Sequence, residues 1–215
     1  MCPDEKSQTD DGVVYRFASE WITKLEGEGR WRLYWQQQKL MEDLVRPGQE
    51  LLEIGPGNGF TSGYLRDRGF DVTTLDIDAD KHPDIAANIV TYDFPRRYDA
   101  VLAFEVFEHI PFEKFEEVVG RLAKAAREYV FISLPRNELV PFRLSLKLGS
   151  RRREHGVEYR RLEGKIREVH HFWELDHGDT TVARVERLFA SCGLHIERRR
   201  NSGKFRYYAL RAPRD

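Results

Sequence analysis

The chain of 215 residues is long enough to bury one full core without disulfide or metal staples, which suits a single domain. With 35 Lys and Arg against 36 Asp and Glu, its formal charge of −1 excludes a global basic field that would draw the whole molecule onto nucleic acid or an acidic membrane. No stretch approaches the ~20 apolar residues of a membrane span, and the two cysteines, Cys2 and Cys192, argue against a disulfide framework and for a reducing, cytoplasmic setting.

Residues 1–12 are polar and acidic, too poor in apolar groups to offset the entropy of ordering, and are expected to form a disordered tail, not a secretory leader. Trp21 to Val45 carries a helical pattern, with Trp31, Tyr34, Trp35, Gln38, Met41 and Val45 at three- and four-residue spacing, and Pro47-Gly48 ends it. Residues 13–48 therefore read as a helical cap on a domain spanning 49–215. Strands and helices then alternate. Strands are expected at Glu50–Ile54, Asp71–Leu75, near Ile85–Val90, at Tyr98–Phe104 and at Tyr129–Leu134. A helix fits Phe60–Arg68, and Phe112, Phe115, Val119, Leu122 and Ala126 mark one face of another. The interval 136–168 breaks this rhythm and is too long for an ordinary connection; it reads as an inserted, partly helical lid. Asp179 is the expected N-cap of a last helix, with Val182, Val185, Phe189 and Cys192 facing inward and Gly193 as its stop. Leu194–Arg200 and Phe205–Arg211, joined by Asn201-Ser202-Gly203, close the chain as an antiparallel pair. The expected fold is α/β, a Rossmann-like, doubly wound sheet of seven strands with a terminal antiparallel hairpin.

The segment Leu51-Leu52-Glu53-Ile54-Gly55-Pro56-Gly57-Asn58-Gly59 carries the chemistry. An apolar strand runs into a tight turn whose glycines permit positive φ and let a ligand meet the backbone, and a helix N-terminus follows. In a dinucleotide fingerprint such a turn holds a pyrophosphate; here Glu53 would repel one and attract an ammonium. Asp76 ends the next strand, about 20 residues on, where a carboxylate can accept both hydroxyls of a ribose, with Ile77 beside it to pack on a base.

On these motifs, and on a βαβ series that ends in a hairpin, the chain resembles the class I S-adenosylmethionine-dependent methyltransferases over most of its length, about Leu33 to Leu210. The resemblance implies S-adenosylmethionine as cofactor, held by Glu53, Gly55, Gly57, Asp76, Ile77 and Phe104. In such enzymes an Asp after the third strand usually accepts from the adenine amine. Here either Asn88, whose amide oxygen can also accept, or Asp93, in a shifted loop, takes that place. The intact Glu53, Gly55, Gly57 and Asp76 argue against a non-catalytic binding module.

Glu105-Val106-Phe107-Glu108-His109-Ile110-Pro111 follows the fourth strand and is similar to the E-x-x-E-H-[IVL]-P signature of methyltransferases that act on small molecules. The (N/D)-P-P-(Y/F) tetrapeptide of base N-methyltransferases is missing. Methyl transfer needs alignment and a base for the nucleophile's proton, and His109 is one candidate base; alternatively Glu108 and His109 cap the following helix. Val169 to His177 (VHHFWELDH) is the second concentration of chemistry. Extended geometry would set His170, Phe172 and Glu174 on one face and His171, Trp173 and Leu175 on the other, which makes His170 a second catalytic candidate.

The leading expectation is methyl transfer to oxygen or nitrogen of a small-molecule acceptor. The alternative is an RNA acceptor gripped through Arg151, Arg152, Arg153, Arg160 and Arg161, though these alternate with glutamates as on a solvated face. The E-x-x-E-H arrangement is also similar to that of metal-dependent small-RNA 2′-O-methyltransferases. Glu105, Glu108 and His109 would share one face of a helical turn, with His170 or His171 as a fourth ligand; no metal ligand is assigned from the sequence.

Overall fold

The structure is a computed structural model that describes residues 6–9, 12–15, 26–146, 155–166, 168 and 170–213. Trp21 and Arg151 to Arg153 lie outside the described residues. The expected disordered tail is in part a hairpin: β1 (Lys6–Thr9) pairs antiparallel with β2 (Gly12–Tyr15). The β-branched and aromatic residues of Gly12-Val13-Val14-Tyr15 favour a strand, a preference that the average polarity of the segment hides.

Helix α1 (Glu28–Met41) is shorter than its sequence pattern. Tyr34, Gln37, Leu40 and Met41 face inward, whereas Trp31 and Trp35 are 54% and 58% exposed. Tyr34 and Met41 of the spaced residues are thus buried, while the two tryptophans are not.

The main sheet holds β3 (Glu50–Ile54), β4 (Asp71–Asp76), β5 (Ile85–Ala86), β6 (Tyr98–Phe104), β7 (Ala126–Pro135), β10 (His195–Ser202) and β11 (Phe205–Arg211). Its order is β10-β11-β7-β6-β3-β4-β5. Strands β7, β6, β3, β4 and β5 run parallel, while β11 is antiparallel to both β7 and β10. The seven-stranded doubly wound sheet with its terminal hairpin is thus the observed fold. The third strand shrinks to two residues, with Asn88 already in the loop beyond it.

Two cores form because alternate residues of the central strands point to opposite faces. Ala100, Leu102, Phe104, Phe131 and Tyr207 pack with Leu40 and Met41 of α1 and Leu65 of α2 (Phe60–Asp67). Val101, Ala103, Ile132 and Tyr208 pack on the other face with Phe115 and Val119 of α3 (Phe112–Ala125) and Val185 and Phe189 of α4 (Val182–Ser191). The N-cap of α4 is Thr181, whose hydroxyl accepts from Arg184 N–H at 3.2 Å, and not Asp179.

Among the described residues the insertion is not helical. Strands β8 (Glu138–Leu146) and β9 (His155–Leu162) form an antiparallel ribbon separate from the main sheet. Phe142, Leu144 and Leu146 alternate with Arg143 and Ser145, a period of two that the density of charge obscured. No helix among the described residues is long and apolar enough to cross a membrane.

Candidate functional site

A cavity of about 520 Å³ opens where the parallel strands end, between β3 and its neighbours β4 and β6. That is where open α/β sheets bind ligands, because the chain departs to opposite faces there and leaves a crevice. α1 and the chain leaving β9 complete its wall.

At its base Gly55, Gly57 and Gly59 all take left-handed φ, of 66°, 61° and 76°. Gly55 has a second constraint: a Cβ there would stand 2.9 Å from Cγ2 of Val106, so the glycine turn packs directly on the loop after β6. Glu53 is buried with Oε2 unpartnered, and burial raises its carboxyl from 4.5 to about 7 against the weaker pull of Ser62 and Arg66. A buried acid in want of a cation suits the ammonium of an amino-acid moiety.

Asp76, at the end of β4, lines the same cavity; Asp78 N–H donates to it at 2.9 Å and Lys81 Nζ pairs with it at 3.2 Å. Lys81 was not singled out in the sequence, and the only signal for it was a lysine five residues beyond the acid. Ile77, Asn88 and Phe104 also line the cavity. Asp93 does not: it is exposed and outside the lining. Val90 N–H already donates to the Asn88 amide oxygen at 2.9 Å, which orients that side chain.

The reaction side assembles from two segments. Glu105, after β6, has a left-handed φ of 57°, which breaks the helical turn expected through Glu105, Glu108 and His109. Its carboxylate pairs with Arg30 of α1 at 3.4 Å, and its N–H donates to Ser133 Oγ at 2.9 Å. Glu108 is 1% exposed, with Oε2 unpartnered, and burial, reinforced by Glu105 and Glu174, drives its carboxyl well above the usual range. His109 donates from Nδ1 to the His170 carbonyl at 3.1 Å. Burial and the neighbouring His171 lower it from 6.5 to about 3, which makes it a weak base at neutral pH.

The second segment is not extended. Phe172 N–H donates to the Glu108 carbonyl at 2.8 Å, and Trp173 Nε1–H donates to the Ile110 carbonyl at 3.1 Å. These bonds turn His170, His171 and Glu174 all toward the cavity, while Trp173 and Leu175 enter the core. The expected split of the two histidines between opposite faces is therefore corrected. His171 Nδ1 meets Glu174 Oε1 at 2.8 Å, and Asn137 Nδ2 donates to Glu174 Oε2 at 2.8 Å. Asn137 also bonds the Lys165 carbonyl and Gly164 N–H, which ties the exit of the β8–β9 ribbon to the site.

The profile of the family described as methyltransferase domain matches residues 30–177, about two thirds of the chain. No curated protein matches the chain in sequence. Among solved structures the chain is similar to magnesium protoporphyrin IX methyltransferase from Synechocystis PCC 6803 with bound S-adenosylhomocysteine. The TM-score is 0.57 at 16% identity, over 86% of this chain and 83% of that one. It is also similar to 1,6-didemethyltoxoflavin-N1-methyltransferase from Burkholderia thailandensis, with a TM-score of 0.56 and 15% identity over 91% and 87% of the two chains. The N-methyltransferase NodS from Bradyrhizobium japonicum WM9 matches with a TM-score of 0.57 and 12% identity over 95% and 93%. The acidic glycine turn, the sheet order and the family match converge: the chain belongs to the methyltransferase-domain family and shares the fold of these solved methyltransferases.

Proposed function

We propose that the protein transfers the methyl group of S-adenosylmethionine to oxygen or nitrogen of a small-molecule acceptor. The observation that carries this reading is the single cavity that runs from the glycine turn and Asp76 to Glu105, His109 and His171. One space thus spans a cofactor end and a polar reaction end. Glu53 takes the methionine ammonium, Gly55 and Gly57 admit the amino-acid moiety to the backbone, and Asp76 accepts the ribose hydroxyls. Ile77, Asn88 and Phe104 enclose adenine. Residues 13–48 act as a cap and 136–168 as a lid, and between them they keep the acceptor out of water. The small-molecule acceptors named for the magnesium protoporphyrin and toxoflavin enzymes are in keeping with an enclosed site.

The transfer is a direct displacement: the acceptor atom bonds to the methyl carbon as the carbon–sulfur bond breaks and its electron pair returns to sulfur. Alignment along that line is the main service of the protein. Calorimetric titration with S-adenosylhomocysteine tests the reading. The wild-type protein is expected to bind, and Asp76→Ala to bind roughly tenfold to a hundredfold more weakly, since a charged acceptor bond is worth about 1.5–3 kcal/mol. Absence of binding by the wild-type protein contradicts the proposal.

A further inference from the structure

Among the described residues, Glu108, His109 and His171 each bring one ligand-type atom to within 4.8 Å of the others. The tautomers of both rings follow from their partners. A carbonyl oxygen only accepts, so His109 Nδ1, at 3.1 Å from the His170 carbonyl, carries the proton and its lone pair lies on Nε2. His171 Nδ1 stands 2.8 Å from a carboxylate oxygen of Glu174, which sets its lone pair on Nε2 in the same way. Glu174 is in turn held by Asn137 at 2.8 Å. Imidazoles that bind metals are oriented through the opposite ring nitrogen in this manner, by a carbonyl or a carboxylate. The third member supplies an independent observation. Glu108 is 99% buried, and its Oε2 has no hydrogen-bond partner. A carboxylate oxygen with no partner away from water is costly, and a cation beside it removes the cost.

We infer that Glu108, His109 and His171 bind one divalent transition-metal cation that faces the acceptor, and that the acceptor atom is a hydroxyl oxygen. The second part rests on the methyl-transfer reading given above. Two imidazoles and one carboxylate select zinc, manganese or iron(II) over magnesium and calcium, which take oxygen-rich sets. Three protein ligands leave positions open, as catalytic sites require and structural ones do not. Glu105 takes no part, since it is committed to Arg30.

An acceptor hydroxyl that occupies an open position has its acidity raised by several units and gives up its proton to water. The metal-bound oxygen then bonds to the methyl carbon while the carbon–sulfur bond breaks and its electron pair goes to sulfur. The products are a methyl ether, S-adenosylhomocysteine and the released proton. The cation thereby does the work of a general base.

The test titrates the metal-stripped full chain with zinc chloride, manganese chloride and magnesium chloride, with and without S-adenosylhomocysteine. The expected result is one equivalent of zinc bound at micromolar concentration or below, weaker manganese and no magnesium in that range. Glu108→Gln and His171→Ala are expected to weaken zinc roughly tenfold or more, as is the positioning change Glu174→Gln. The exposed His195 serves as the control, and His195→Ala is expected to bind as wild type. Binding of S-adenosylhomocysteine by each variant verifies that its fold is intact. If the wild-type protein takes up no stoichiometric zinc, or if Glu108→Gln and His171→Ala bind it as well as wild type, the cation site is overturned and the methyl-transfer reading stands. If the metal binds as expected but S-adenosylhomocysteine does not, the acceptor assignment falls with that reading while the metal site remains.

Discussion

At the scale of single residues, the buried acid of the glycine turn makes a measurable statement about protons. Glu53 is raised to about 7 in the ligand-free protein because its charged form is desolvated. The raised value favours the folded state in acid, where the group is neutral, and the contribution is lost as pH rises through 7; its upper size is about 3 kcal/mol. The ligand-free thermal midpoint is therefore expected to fall between about pH 5 and pH 8, and Glu53→Gln to flatten the fall. A bound ammonium restores the charged form, so S-adenosylhomocysteine is expected to release up to one proton per site near pH 6.5, and fewer near pH 8. Calorimetry in two buffers of different ionisation enthalpy reads this directly; release that is unchanged in Glu53→Gln would assign it to another group. Glu53, Gly55, Gly57 and Asp76 were legible in the sequence because their roles depend on local backbone shape and on position at strand ends. The Lys81 partner of Asp76 and the turn of His171 into the cavity were not, since each depends on contacts made only when distant segments meet.

At the scale of elements, the loop after β6 and the segment 170–175 act as one piece, zipped by Phe172 N–H, Trp173 Nε1–H and His109 Nδ1–H. Trp173 is the anchor, packed edge-on against Phe112 and Phe115 with centroids at 5.0 and 5.1 Å. Trp173→Ala is expected to cost about 3–5 kcal/mol, the usual range for a large buried aromatic. Trp173→Phe should cost less, about 1–3 kcal/mol, for the Ile110 carbonyl left without its donor. Urea unfolding measures both, and equal losses would mean that packing alone matters. The sequence pattern located nearly every strand of the sheet and both flanking helices after it, since burial on two faces writes continuous apolar runs. It failed on the β8–β9 ribbon, where dense charge hides an alternation of period two.

At the scale of the whole molecule, the terminal hairpin braces the cap. Arg198 of β10 donates from Nη1 to the carbonyls of Lys39, Leu40 and Glu42, at 3.3, 3.1 and 2.9 Å, at the end of α1. These are the acceptors that a helix C-terminus leaves unsatisfied. Arg198→Met keeps the aliphatic stem and removes the donors. It is expected to speed amide exchange in α1 and to weaken S-adenosylhomocysteine a few-fold, through Arg30 and Tyr34 on the cavity wall, while β3, β6 and β7 keep their protection. Exchange that rises throughout the sheet would instead make Arg198 a support of the global fold. The position of β11 has a further consequence, for synthesis. It lies between β7 and β10, antiparallel to both, yet it follows both of them in the chain. Until it emerges the nascent chain holds out the unpaired edge of β7, with Val130, Phe131 and Ile132 along it, an invitation to pair with a neighbouring chain. A ligand cannot rescue this intermediate early, because Lys204 and Phe205 of the cavity arrive with the same strand; until β11 is made, the β7 edge stays open to mispairing.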